Sequence, residues 1–349
     1  MGVEIAKDLR GSEKGVALFM VLWVLALLSV MVGEFCYTMR TDLTMTWDFG
    51  QRTKAYYIAY AGMQRALAQL LSDLSNPFKV KKGVEDEDEE EEPGVHFRLN
   101  YPNPEVPFGK GTFRVHIENE SGKININKAG RRLLRAMLSP FNLEDDQVSV
   151  IVDSILDWRD KDKFHRLNGA EDDYYQSLPQ PYECKDDYFD SVEELLLVRG
   201  ITKEIFYGGL RDMVTVYLPK KSVSRRKSKR AKRRFSYNKI NLNAASDKVL
   251  ACLPGMTKEA IEAIKEYRKE KDFTTVAQLA QVVDVDVYRA AAPYLDVQLS
   301  PLYTVESTGR CDEEGAEETI SAVIQIDRTA PKGYVIVQWR DKVVAAMSY

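Results

Sequence analysis

The sequence of 349 residues is poor in the residue types that build most catalytic and metal centres. It contains three histidines and four cysteines, and the cysteines are far apart with no C-x-x-C spacing. This pattern excludes a zinc knuckle and a thioredoxin-type redox motif. The sequence also lacks a G-x-S-x-G elbow, an H-E-x-x-H motif, a P-loop and a G-x-G-x-x-G turn. We therefore expect a protein without enzymatic activity.

A strong net charge is lacking as well, because 49 Lys and Arg residues nearly balance 53 Asp and Glu residues. The balance hides two opposed runs: residues 85–92 are all acidic, and ten of the fifteen residues in 220–234 are basic. Runs of like charge are typical of solvated chain. We interpret the acidic run as a solvated loop and the basic run as a solvated linker, so net charge indicates no partner.

Residues 16–33 form an apolar run in which Ser29 alone is polar. As a helix this run would span about 27 Å, close to the hydrocarbon core of a bilayer. A cleaved secretory signal is one alternative, but the run exceeds the usual signal core and no A-x-A-like site follows it. Apolar residues then recur at three- and four-residue spacing from Tyr56 to Leu71, with no proline before Pro77. We predict one continuous helix, with an anchor followed by a separate soluble helix as the other alternative.

Segments of alternating polarity lie at both ends of the remaining chain and predict strands. They begin at Val95 and Gly111 on one side, and at Leu302, Glu318 and Gly333 on the other. The chain between them has a helical pattern. The predicted fold class is α+β: the long helix packs on one antiparallel sheet, and an all-α domain is inserted into that sheet.

The middle of the chain contains an internal repeat. The segment 122–129 (GKININKA) matches 238–245 (NKINLNAA), and the spacing F-x-x-V-x-x-L-x-x-V occurs from Phe189 and again from Phe273. Each copy is predicted to form short helices opened by an Asn-x-Asn turn, and the pattern resembles helix-hairpin-helix units. The first copy also carries an insertion after Arg159 that is rich in Asp and Glu. Such oxygen ligands suit Ca²⁺, with a solvated acidic loop as the alternative, and the spacing is not that of an EF-hand.

The start of the sequence resembles the type IV pilin-like proteins. A charged leader (MGVEIAKDLRGSEKG) ends at Gly15, and the segments VLWVLALLSVMVGEFCYTMR and AYYIAYAGMQRAL follow. These features are similar to those of the K-type minor pseudopilins of type II secretion systems. The resemblance implies that a prepilin peptidase cuts after Gly15 and leaves Val16 as the first, methylated residue. It also implies that Met20 stands where most pilins carry a glutamate within the membrane, a difference that is characteristic of the subunit at the filament tip.

The same resemblance implies a structural role, as a minor pseudopilin that initiates or caps the periplasmic pseudopilus during protein export across the outer membrane. The implied partners are the I- and J-type minor pseudopilins, the major pseudopilin, the prepilin peptidase and the inner-membrane assembly platform. Nucleic acid is not expected to bind. The expected location is the inner membrane, crossed once, with the N-terminus in the cytoplasm and the bulk of the chain in the periplasm.

The motif D-W-R-D together with N-G-A-E-D-D-Y is similar to the calcium-binding loop of K-type pseudopilins, so the resemblance also implies bound calcium. The ligand candidates are Asp160, Asp162, Glu171, Asp172, Asp186 and Asp187.

The predicted divisions of the chain are a leader (1–15), a transmembrane and spine helix (16–76), the first part of the sheet with the acidic loop (77–121), the first helical repeat with its insertion (122–218), a basic linker (219–237), the second repeat (238–298) and the terminal strands (299–349).

A membrane-anchored DNA-binding protein of the competence type is the second candidate. Helix-hairpin-helix units bind phosphate through a Gly-rich hairpin, and a basic run such as 220–234 adds salt-sensitive affinity. Here the second hairpin, at 253–257 (LPGMT), lacks the usual second glycine, and the first, at 138–141 (LSPF), has no glycine. Both hairpins are poor phosphate cradles, which favours the pseudopilin.

Overall fold

The structure is a computed structural model that describes residues 12–75, 95–219, 235–311 and 315–343. Both charged runs, 85–92 and 220–234, and the first part of the leader lie outside the described residues. The described α-helices are α1 (Ser12–Ser75), α2 (Arg131–Leu138), α3 (Asp145–Arg159), α4 (Asp172–Tyr175), α5 (Lys203–Ile205), α6 (Arg211–Met213), α7 (Asp247–Ala251), α8 (Lys258–Glu270) and α9 (Val285–Ala291). Turns of 3₁₀ helix lie at Glu120–Gly122, Ser139–Phe141, Val192–Leu197, Val276–Gln281 and Ala292–Tyr294, and a π-helical turn at Phe206–Leu210.

The described strands are β1 (Val106–Pro107), β2 (Gly111–Asn119), β3 (Ile124–Asn125), β4 (Val214–Thr215), β5 (Ile240–Asn241), β6 (Leu295–Asp296), β7 (Leu302–Cys311), β8 (Glu317–Ile326) and β9 (Tyr334–Val343). Five of them form one antiparallel sheet in the order β1-β2-β7-β8-β9. β2 and β7 are neighbours, and Phe113 pairs with Gly309 in their register. The chain therefore leaves the sheet at β2, builds the helical domain, and returns at β7.

Helix α1 has two halves with different surroundings. Along residues 16–40 every side chain is exposed, and the helix contains a window of mean hydropathy 2.7 that is long and apolar enough to cross a membrane. In the second half the sheet covers one face of the helix. The buried residues on that face include Ala55, Ala59, Met63, Ala66, Leu67 and Leu70. The prediction of one long helix, apolar all round at first and one-sided later, is confirmed.

The sheet has one apolar and one polar face, as the alternation of its strands predicts. In β2, the buried Phe113, Val115 and Ile117 pack in the same hydrophobic core as the second half of α1. His116 and Glu118 alternate with them and lie on the opposite face, where the imidazole and the carboxylate are 3.0 Å apart. This polar face and the first helical repeat line the two sides of a polar cleft.

One predicted strand is wrong: residues 95–98 are irregular. A side chain of α1 takes the place of a neighbouring strand, because the Gln69 amide accepts a hydrogen bond from Phe97 N (2.8 Å) and donates one to Phe97 O (2.7 Å). The Asn103 amide likewise bonds Arg98 N (2.8 Å) and Arg98 O (3.2 Å). The alternating polarity is real, since Phe97 is buried, but side chains satisfy the backbone groups that a strand would have paired.

Each helical repeat is held together internally by an asparagine at the same position of its Asn-x-Asn turn. In the first copy, the Asn127 amide donates to Phe189 O (2.9 Å) and accepts from Phe189 N (2.7 Å). In the second copy, the Asn243 amide donates to Phe273 O (2.9 Å) and accepts from Phe273 N (2.8 Å). Each Asn-x-Asn turn is thereby tied to the F-x-x-V segment of its own copy. This confirms the repeat and its helix-hairpin-helix-like architecture.

An arginine repeats as well. The half-buried Arg159 at the end of α3 and the buried Arg268 near the end of α8 each donate to two backbone carbonyls in or directly after the Asn-x-Asn turn of their own copy. Burial lowers the pKa of both guanidinium groups to about 10, so both remain charged at neutral pH. One hydrophobic core runs through both copies and makes them a single domain.

Helix α1 lies close to the sheet at Gly309 of β7. A Cβ built on Gly309 would overlap the carbonyl oxygen of Ala55 and the backbone nitrogen of Ala59. We expect Gly309→Ala to lower the free energy of unfolding by about 1 to 3 kcal/mol, because helix and strand must separate. Gly50→Ala is the matched control, since no atom lies within 4 Å of its added Cβ. Chemical denaturation of both variants checks this; equal stabilities would contradict the close packing.

Candidate cation site

The acidic insertion is organised around the last turns of α3. Asp153 and Asp157 are four residues apart on one face of this helix, and both are buried. Asp157 accepts hydrogen bonds from Arg166 N (3.1 Å) and Ala170 N (3.0 Å) in the loop that follows. A Cβ on Gly169 would overlap the Asp157 carboxylate, so only glycine allows the loop to lie this close. α3 thus anchors the insertion through these carboxylates as well as through the packing of Trp158 against Tyr175.

Arg166 supplies one positive charge to this anchor. Its guanidinium group forms ion pairs with Asp157 and, at 2.5 Å, with Asp160. Despite this pairing, burial raises the pKa of Asp157. A single guanidinium therefore does not fully compensate the carboxylates around it.

The centre of the site is formed by Glu171, Cys184 and Asp186, whose potential ligand atoms all lie within 4.8 Å of one another. Glu171 is 3% exposed, and neither of its carboxylate oxygens has a hydrogen-bond partner among the described residues. The same holds for one carboxylate oxygen of Asp186 and one of Asp160. Buried polar atoms are normally paired, so the three unpartnered oxygens of Glu171 and Asp186 in one site are unusual.

The electrostatics of the site agree with this geometry. Burial and the neighbouring charge of Asp186 raise the pKa of Glu171 to about 7, and Asp157 and Asp160 contribute in the same direction. Burial also raises the pKa of the Cys184 thiol, with the Glu171 and Asp186 carboxylates adding to the effect. Without a cation, the site therefore holds Glu171 partly protonated near neutral pH and keeps Cys184 a thiol.

The structure brings together some of the six predicted ligands and places others apart. Glu171 and Asp186 share the centre. Asp160 lies outside this group of three; one of its oxygens is buried without a partner and the other pairs with Arg166. Asp172 has both oxygens engaged, by Cys184 N (2.8 Å) and by the Lys163 ammonium (3.2 Å), and these contacts lower its pKa.

Two further candidates bond only to their own loops. Asp187 accepts a hydrogen bond from Tyr188 N (2.8 Å), and the exposed Asp162 accepts one from Phe164 N (3.1 Å).

The sequence did not indicate two residues at the candidate site, Asp157 and Cys184. The four-residue spacing of Asp153 and Asp157 on an otherwise apolar helix face was the available signal for the first of them.

A divalent cation fits this constellation. The unpartnered carboxylate oxygens of Glu171, Asp186 and Asp160 are hard donors, which suit Ca²⁺, and Ca²⁺ takes six to eight oxygens, including backbone carbonyls and water. The buried thiol is a soft group that contributes little to binding a hard ion. The donor set is therefore of the kind that binds a divalent cation.

The other functional feature is the exposed apolar stem. α1 includes the backbone of Gly15 and Val16, and the Met20 side chain is 62% exposed on the stem. No described residue outside α1 covers this stretch, which leaves its apolar side chains free to contact lipid or neighbouring helices.

Comparison with known proteins identifies relatives of both parts of the chain. A family model described as type II secretion system (T2SS), protein K, matches residues 115–220, and a helix-hairpin-helix motif model matches residues 236–295. Type II secretion system protein K of Pseudomonas aeruginosa is 25% identical over 309 residues, which cover 83% of this chain and 84% of the relative. The protein of the same name from Pectobacterium carotovorum is 25% identical over 57% of this chain and 61% of the relative.

A solved structure has the same fold. It is a chain of the GspK-GspI-GspJ complex from the type 2 secretion system of enterotoxigenic Escherichia coli, with a TM-score of 0.54 and 19% identity. The match covers 83% of this chain and 98% of the other. Since the match extends over nearly all of that chain, the sheet and the inserted helical domain belong to one shared architecture.

Proposed function

We infer that this chain, which belongs to the type II secretion system protein K family, is a minor pseudopilin that initiates or caps the tip of the periplasmic pseudopilus during protein export. The observation that carries this conclusion is the insertion of a two-repeat helical domain between β2 and β7 of a sheet packed on a long α1. A pilin-like unit with such a domain is suited to a terminal position, where bulk above the sheet does not obstruct the subunits below. The role is structural rather than enzymatic.

The apolar stem supports the position in the membrane that we propose. Cleavage by a prepilin peptidase after Gly15 would leave α1 intact from Val16 onward and keep it in the inner membrane. The N-terminus then faces the cytoplasm, and the sheet and helical domain lie in the periplasm. Met20 supports a terminal place, because a carboxylate at this depth is costly unless another subunit pairs with it, and a first subunit has no such neighbour.

The proposed partners follow from this position. The similar Escherichia coli chain comes from a GspK-GspI-GspJ complex, and we propose that the I- and J-type minor pseudopilins bind this chain. The major pseudopilin would continue the filament below them, and the inner-membrane platform would assemble it. The DNA-binding alternative is not favoured, since the second hairpin presents one glycine and Thr257 caps the following α8 with its own side chain.

Calcium is the proposed cofactor of the insertion. Glu171, Asp186 and Asp160 would hold the ion through the buried oxygens that lack partners, while Asp172 and Arg166 position the surrounding loops. The ion supplies positive charge that the buried carboxylates need in order to ionise together. Tyr175 already packs the insertion into the hydrophobic core, and a bound ion would add order to the acidic loops around Glu171.

Reconstitution tests the proposed function. The full chain, co-expressed with I- and J-type pseudopilins of the same organism and extracted in detergent, is expected to purify as a complex with one copy of each. Native mass spectrometry gives the stoichiometry. The control replaces the I- and J-type subunits with the major pseudopilin alone, which should not form this complex. If the I- and J-type subunits pair while this chain stays monomeric, the tip assignment is wrong.

A further inference from the structure

Cys184 gives the candidate cation site a donor that calcium does not require. Its buried thiol lies beside the carboxylates of Glu171 and Asp186, and the three potential ligand atoms are within 4.8 Å of one another. Thiolate sulfur is a soft ligand that selects ions such as zinc, whereas Ca²⁺ prefers oxygen. The site therefore carries two kinds of donor, and calcium uses only one of them.

The local backbone explains why the thiol and the carboxylates meet. Cys184 N donates a hydrogen bond to the Asp172 carboxylate (2.8 Å), which ties this part of the chain to the start of α4, directly after Glu171. Two residues further on, Asp186 has a φ of 52°, in the left-handed region that Asp tolerates better than most residues. Two short stretches, 171–172 and 184–186, thus form the site.

The number of donors at this centre matches zinc more closely than calcium. Zn²⁺ takes four ligands in a tetrahedron, and three protein ligands with one water are a common arrangement. Glu171, Cys184 and Asp186 supply three such ligands. Ca²⁺ takes six to eight oxygens, and two carboxylates have only four between them. The three side chains therefore nearly complete the shell of a zinc-class ion, but only part of the shell of calcium.

The distances and the burial support this match. In a tetrahedral site with bonds of about 2.0 to 2.3 Å, the ligand atoms are about 3.3 to 3.7 Å apart. The separations here are at most 4.8 Å, so small side-chain rotations would close the site. Glu171 is 3% exposed, and neither of its carboxylate oxygens has a hydrogen-bond partner among the described residues. A buried carboxylate in this state is destabilised, and a coordinated cation relieves the cost.

We propose that Glu171, Cys184 and Asp186 bind a thiophilic divalent cation of the zinc class, and that this ion competes with calcium. Coordination by sulfur requires the thiolate, so the thiol proton passes to solvent as the metal–sulfur bond forms. The proposal rests on the cation site described above, but it depends neither on calcium binding nor on the secretion role. Cys184 is then the residue that decides which class of cation the insertion holds.

Cobalt(II), a spectroscopic substitute for zinc, tests the proposal. The untagged full chain, reduced and freed of metal in detergent, is titrated with Co²⁺. We expect one Co²⁺ per chain with a sulfur-to-cobalt charge-transfer band, which one equivalent of Zn²⁺ removes. Cys184→Ser should abolish the band, and Cys36→Ser, on the exposed stem, is the control that should keep it. A band that survives in Cys184→Ser, or its absence from the natural protein, would overturn the proposal.

Asp186→Asn is a second variant that leaves the buried thiol in place, and Asn also tolerates the left-handed backbone. It should keep the charge-transfer band. Calorimetry should show zinc binding weakened by about a hundredfold, since loss of a ligand costs at least as much as loss of a residue that supports one. Unchanged zinc affinity in this variant would remove Asp186 from the site and contradict the three-residue centre.

Competition separates this proposal from the calcium one. Zinc at about ten times its dissociation constant should raise the apparent dissociation constant of calcium by about tenfold. Cys184→Ser should bind calcium within about twofold of the natural protein, because sulfur contributes little to binding a hard ion. If cobalt binds through sulfur while calcium does not bind, the calcium proposal fails and this one stands. Calcium binding that zinc leaves unchanged would show that the two ions do not share the site.

Discussion

Calcium added to the chelated full-length protein is expected to raise its melting temperature by about 3 to 5 °C. This corresponds to a free ion near one hundred times its dissociation constant, which adds about 2.7 kcal/mol to the free energy of unfolding. The physical reason is that the ion neutralises the buried carboxylate of Glu171 and the half-buried one of Asp186, which have oxygens without hydrogen-bond partners. Scanning calorimetry in chelator and in millimolar Ca²⁺ provides the measurement.

Glu171→Gln separates a metal site from an ordinary acidic cluster, because its effect changes sign with calcium. In chelator the variant should be more stable than the natural protein, since one of several repelling carboxylates is gone. In calcium it should be less stable, since a central ligand is lost. Glu183→Gln is the matched control: Glu183 is exposed in the same insertion and should change neither value. If calcium stabilises Glu171→Gln as much as the natural protein, Glu171 is not a ligand.

The calcium effect is also expected to depend on pH. The pKa of Glu171 is about 7 in the folded protein against an ordinary value of 4.5, so between these values the folded state binds a proton that the unfolded state does not. The stability of the metal-free protein should therefore fall as pH rises from 5 to 7. Calcium competes with this proton, so its stabilisation should be larger at about pH 8 than at about pH 5.5. The Glu171→Gln variant should lose this difference.

Gly15→Ala is expected to abolish maturation of the precursor. The charged leader would stay attached to the apolar stem, and a leader that remains on the cytoplasmic side prevents the helix from packing among its sister subunits. Co-expression with an active prepilin peptidase, followed by intact-mass measurement, should show the precursor mass for the variant. Gly33→Ala is the control: it lies on the same stem, and a Cβ there meets no atom within 4 Å. If Gly15→Ala is still processed at this position, the peptidase does not recognise this glycine.

The elements that the sequence predicts well are those with a long or repeated pattern. The stem, the sheet around β2 and β7, and the two repeats each depend on many residues, so one irregular position does not change the interpretation. The Asn-x-Asn motif does more than form a turn, but its spacing in the sequence does not reveal this second role. Asn127 and Asn243 act as ties to segments far along the chain, and only the folded structure shows their partners.

The strand predicted from Val95 is wrong because the prediction depends on one short segment. Its alternating polarity is typical of a strand, but a strand also requires a neighbour with free backbone groups, and Gln69 and Asn103 occupy that place. Sequence pattern reports which side chains are buried, not which groups satisfy the backbone.

The sequence locates the candidate cation site only in part. Composition located the insertion, and the resemblance pointed to its acids, but neither distinguishes Glu171, which has no partner, from Asp172, which has two. That distinction depends on how the loops fold back onto α3. Asp157 was missed because it lies within a helix rather than in the insertion itself.

The central claim is that the apolar stem is kept after processing and seats this subunit in the pseudopilus. The most direct test is the intact mass and N-terminal sequence of the mature protein purified from its native membrane. We predict a chain that begins at Val16, carries a methyl group on its terminal amine and remains with the membrane fraction. A mature chain that begins beyond Gly33 and is free in the periplasm would contradict the account.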